Sequence, residues 1–114
     1  MINVSFFVFG SGEICGFKIE GHAGFDEHGK DIVCSAVSSA AYMTANTITG
    51  IMKIDADVKI FDDVGFMYVR VPDKSVSSCR VIFSGFRAHL VMLEEIYPEN
   101  IRVNYEEVKQ DADD

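Results

Sequence analysis

Apolar and polar residues alternate from the start of the chain, with Ile2, Val4, Phe6 and Val8 on one side and Asn3 and Ser5 between them. A period of two marks an extended strand. Phe7 and Phe9 make the second side apolar as well, which predicts a strand over residues 2–9 covered on both faces. Gly10, Ser11 and Gly12 carry turn chemistry, and residues 13–21 read as a second strand hairpinned to the first. In it Cys15, Phe17 and Ile19 face inward, while Lys18 and Glu20 face out. The period then changes. Asp31 reads as a helix N-cap, followed by a helical run to about Ile51 that is rich in small residues. Alternation returns with Val58 and Ile60, Asp63, Val64 and Gly65 turn the chain, and residues 66–71 alternate back.

A second helix is predicted from the cap residue Ser75, with Cys79, Ile82, Phe83, Phe86, Leu90, Leu93 and Tyr97 at spacings of three and four. Such spacing buries one face, and Pro98 stops the helix. Ile101, Val103 and Tyr105 form a last short strand. The order ββαββαβ, joined by hairpins, predicts an α+β fold with a mainly antiparallel sheet packed by two helices. The domain is expected over residues 1–106, with an acidic tail over 107–114.

Composition narrows the functional classes. A chain of 114 residues, 48% hydrophobic, matches one globular domain without staples. Lys+Arg total 10 against 18 Asp+Glu, a net charge of −8, which argues against a nucleic-acid partner because phosphates demand a concentrated basic surface. The same charge serves solubility or a basic partner equally well. No apolar run approaches the roughly 20 residues of a membrane span. The three cysteines lack any CxxC spacing, so they indicate a reducing compartment and a cytoplasmic protein.

Of these cysteines, Cys15 and Cys79 sit on apolar faces and read as small core residues. Cys34 differs. With Asp31 as cap it takes the third helical position, where free N–H groups and the helix dipole favour a thiolate and an oxyanion. The Asp31 carboxylate opposes that effect, so Asp31 serves either as a cap or to hold the catalytic base, and position alone favours a core thiol. His22 shifts the balance, because it ends the second strand twelve positions before Cys34, and a thiol nucleophile needs an imidazole as base. Regular alternation would put His22 on the face of Lys18 and Glu20 unless Gly21 breaks it. Ser38 lies one turn beyond Cys34 and reads equally as a partner of the imidazole or a packing residue. A zinc site of His22, His28 and Cys34 with Asp26 or Glu27 fits no standard ligand spacing, and His89 reads as an exposed or cap-region histidine rather than a ligand.

Residues 21–42, Gly-His-Ala-Gly-Phe-Asp-Glu-His-Gly-Lys-Asp-Ile-Val-Cys-Ser-Ala-Val-Ser-Ser-Ala-Ala-Tyr, resemble the ribosomal-processing cysteine protease family, Prp. The family shows a Gly-His pair, a glycine-bearing loop, and Asp-x-x-Cys at a helix start, and the likeness runs along nearly the whole chain. The resemblance implies a cysteine endopeptidase that removes the N-terminal extension of large-subunit ribosomal protein twenty-seven, cutting after two aromatic residues. It implies a cytoplasmic homodimer without metal or cofactor, with no direct contact to nucleic acid or membrane. It further implies Cys34 as nucleophile, His22 as general base, and Gly21, Asp31 and Ser38 as supporting residues. Ala23, Gly24, Phe25, Asp26, Glu27, His28, Gly29 and Lys30 match a loop that orders over the substrate. Phe25 and Tyr42 are within reach of a pocket for the aromatic pair in linear order. The contrasting reading is a non-catalytic, ribosome-associated binding module in which Cys34 and His22 are structural.

Overall fold

A computed structural model describes residues 1–21 and 27–110. The first strand, β1 (Ile2–Val8), pairs antiparallel with β2 (Ile14–Glu20), in register Val4 opposite Ile19 and Phe6 opposite Phe17. Next come α1 (Glu27–Asn46), one π turn (Thr47–Ile51), and the hairpin of β3 (Asp57–Phe61) and β4 (Phe66–Arg70). The chain closes with α2 (Arg80–Ile96) and β5 (Ile101–Glu107). The sheet order is β3-β4-β2-β1-β5, with β5 parallel to β1 and every other pair antiparallel. The α+β class and the order of strands and helices agree with the reading of the sequence.

Alternation decides which residues form the core. Val4, Phe6, Phe17, Ile19, Met67 and Val69 lie on one face of the sheet, all buried. Helix α2 lays Phe83 and Phe86 on that face: the Phe86 ring is 4.7 Å from Phe17 and 5.7 Å from Phe6. Val33, Val37, Ala41 and Ala45 of α1 complete the cluster. On the opposite face Phe7 and Phe9 are buried too, as expected. Their cover is the neighbouring strands: Tyr68 lies 5.6 Å from the Phe7 ring, and the Arg70 guanidinium sits 5.7 Å over Phe9.

Several boundaries differ from the pattern-based expectations. Helix α1 begins at Glu27, one turn before Asp31, so Glu27, His28, Gly29 and Lys30 belong to a helix rather than to a loop. An acidic residue in a first turn is favoured by the helix dipole, and this competes with the capping tendency of Asp31. The remaining loop positions, Ala23, Gly24, Phe25 and Asp26, lie outside the described residues, as does His22. Ser75 caps no α-helix. It ends a 3-10 turn (Asp73–Ser75), a second turn (Ser77–Cys79) follows, and α2 starts at Arg80. Strand β5 runs on to Glu107, because Glu106 and Glu107 pair with Phe7 and Val8, and Val108 N–H still donates to the Val8 carbonyl at 2.8 Å. The ladder thus holds residues whose charge alone marks them as tail.

Candidate active site

Cys34 is the eighth residue of α1, counting from Glu27. An interior helical N–H is spent on the carbonyl four residues back, so the expected bed of free N–H groups around Cys34 is absent. Any activation of its thiol must come from side chains. The thiol itself is accessible. Cys34 is half-buried, whereas Cys15 and Cys79 are sealed in the core. Cys15 Sγ bonds the Phe7 carbonyl at 3.4 Å, and burial pushes the Cys79 thiol above its ordinary pKa. The division of the three cysteines therefore agrees with the sequence pattern.

Cys34 lines a cleft of about 350 Å³ between α1 and the end of the sheet where β2 finishes and β4 begins. Ile2, Ile19, Val37 and Met67 give it an apolar floor, and Ser38 and Tyr42 continue the helix wall beyond Cys34. Spaced four apart, Cys34, Ser38 and Tyr42 share one line along α1. The turn residues Asp62 and Gly65, followed by Phe66, form the opposite wall. Tyr42 spans the two walls, its hydroxyl donating to Asp62 Oδ1 at 3.0 Å. That bond to a carboxylate holds the phenol proton, so the Tyr42 pKa is raised above 10.0.

Gly21 reaches the same cleft from β2. Its φ of 89° lies in the left-handed region, and a Cβ there would stand 2.6 Å from the Met1 carbonyl oxygen. Only glycine fits both constraints. The regular strand ends before it, at Glu20. Gly21, Cys34 and Ser38 thus line one cleft. Asp31 falls within α1, and a capping role for it is not retained. Asp62 and Phe66 escaped sequence analysis, since only the long-range packing of the β3–β4 turn on α1 brings them to Cys34.

A larger groove of about 960 Å³ runs between α1 and α2, lined by residues such as Ala36, Ala40, Met43, Val81 and Phe86. It carries none of the candidate catalytic residues. His89 borders it, exposed and in the middle of α2 rather than at a cap.

Comparison with known proteins decides the family. The family model described as cysteine protease Prp matches residues 1–102. The chain belongs to the Prp family of cysteine proteases. It is therefore a cysteine peptidase. The ribosomal processing cysteine protease Prp of Staphylococcus aureus strain Mu50 is 32% identical over 105 residues, covering 92% of this chain and 99% of its own. A crystal structure of the S. aureus ribosomal processing protease Prp with a substrate peptide superposes with a TM-score of 0.83 at 31% identity, covering 93% of this chain and 100% of that one. A second S. aureus Prp structure, with a covalently linked product peptide, gives a TM-score of 0.80 at 31% identity and the same coverage.

Proposed function

We propose that this Prp-family peptidase removes the N-terminal extension of large-subunit ribosomal protein twenty-seven, with Cys34 as nucleophile and His22 as general base. The observation that carries this reading is the placement of Cys34: a half-buried thiol on the wall of a cleft that Gly21, the residue before His22, also lines. In the proposed reaction His22 takes the Cys34 thiol proton, and the thiolate attacks the scissile carbonyl carbon. The imidazolium then protonates the leaving amine, and the acyl-enzyme is hydrolysed by water with His22 again as base. Ser38, one turn from Cys34 on the same wall, is the candidate to orient the imidazole. The apolar floor suits an aromatic side chain. A covalently linked product in an S. aureus relative is consistent with a thioester route.

The −8 charge suits a basic ribosomal protein as substrate, and such a substrate places the enzyme in the cytoplasm. We assign the groove between α1 and α2 to a homodimer interface. Val81, 84% exposed, and Met43, 54% exposed, present apolar surface there.

The test mixes the protein with the extended ribosomal protein and follows cleavage by mass spectrometry. Cleavage at a single site behind an aromatic pair is expected, together with its complete loss in Cys34→Ala. Cleavage that survives Cys34→Ala overturns the assignment.

A further inference from the structure

The bond between Tyr42 and Asp62 joins two elements that nothing in the sheet ladder connects. Tyr42 stands on α1, eight residues and about 12 Å beyond Cys34 along the helix axis. Asp62 opens the 3-10 turn (Asp62–Val64) between β3 and β4. Strand β3 is the edge of the sheet and is exposed along its whole length. Core packing therefore does little to fix how far this hairpin tip stands from α1. That distance is the width of the cleft, because the tip and the first residues of β4 form the wall facing Cys34 and Ser38.

We propose that Tyr42 and Asp62 are positioning residues for the peptidase reaction: their hydrogen bond clasps the β3–β4 turn to α1 and sets the width of the cleft in which the substrate chain is held. The inference rests on the assignment of this cleft as the peptidase site. Neither residue touches the reacting atoms. A clasp of this kind acts on the fit of the substrate in ground state and transition state alike, so its loss appears in KM and leaves kcat in place. The raised pKa of Tyr42 agrees with a bond made to an ionised carboxylate.

Three variants separate the clasp from a structural role. Tyr42→Phe removes the hydroxyl alone, Asp62→Ala removes the acceptor, and Asp62→Asn keeps an oxygen for the hydroxyl to reach. With a peptide spanning the extension's cleavage site, Tyr42→Phe and Asp62→Ala should raise KM roughly three- to tenfold, as loss of one hydrogen bond would. Their kcat should stay within about twofold of the parent. Asp62→Asn should restore the parental KM. Alkylation of Cys34 by iodoacetamide, a reagent too small to need a fitted cleft, should proceed at the same rate in all four proteins. An unchanged KM in Tyr42→Phe overturns the clasp, even if the melting temperature falls. So does an Asp62→Asn protein as impaired as Asp62→Ala, which would make the carboxylate charge the active feature. Parent protein that cleaves no such peptide overturns the peptidase assignment of the cleft, and the clasp with it.

Discussion

The backbone N–H of Val103 donates to Glu94 Oε2 at 2.8 Å, tying the outer edge of β5 to helix α2. Strand β5 is an edge strand, and an edge N–H without an acceptor invites pairing with another chain. Glu94→Ala should lower stability by about 1 kcal/mol, and Glu94→Gln, which keeps an acceptor, should lower it by less. Urea denaturation of the three proteins measures the difference.

The cysteines differ in access, and labelling reads that directly. Iodoacetamide should modify Cys34 alone in the folded protein at neutral pH, because Cys15 and Cys79 have no exposed surface. Burial also keeps Cys79 protonated to higher pH than a free thiol, so raising the pH should not recruit it before unfolding does. Peptide mapping should find one modified cysteine in the native protein and all three in denaturant.

Gly21 carries the strand into the site at a φ of 89°, facing the Met1 carbonyl. Gly21→Ala should cost about 1–2 kcal/mol for the left-handed backbone alone, and more for the contact with Met1. A fall in melting temperature of roughly 5 °C or more is expected. Cleavage by the folded fraction should fall as well, since any relief of the clash moves the wall of the cleft.

The Tyr42 phenol has a folded pKa above its ordinary 10.0 because Asp62 accepts its hydrogen bond. A raised folded value means that the stabilisation is complete below the unfolded pKa and disappears as pH climbs through the folded one. The stability gap between the parent and Tyr42→Phe should therefore be full below the ordinary phenol pKa of 10.0 and should shrink as pH rises past it. Urea midpoints of the two proteins across that range check the sign.

Much of this architecture was legible because period-two and period-3.6 patterns are local. The alternation of Cys15, Phe17 and Ile19 and the helical set from Phe83 to Leu93 both identified buried residues correctly. Legibility failed where two local tendencies compete or where distant segments meet. Asp31 reads as a cap, yet helix α1 starts a full turn earlier at Glu27. With that start, the dipole argument for Cys34 lost its basis, while the cleft supplied a different one in accessibility. Nothing near Asp62 in the chain announces that Tyr42, twenty residues earlier, will bond to it. The parallel pairing of β1 with β5 was equally hidden, since strand patterns do not state partners.

That pairing has a consequence for when the enzyme exists. Ile2 forms part of the cleft floor, and its N–H donates to the carbonyl of Asn100 at 2.8 Å while it sits in register with Ile101. Strand β1 is thus held in place by β5, a strand far from it in the chain. During vectorial synthesis the residues that build the cleft emerge early, but their lining lacks a neighbour until β5 has cleared the exit tunnel. Such a long-range contact is also among the slowest to form. The floor of the cleft is therefore completed by a segment about 100 residues away from Ile2, and cleavage should await that pairing.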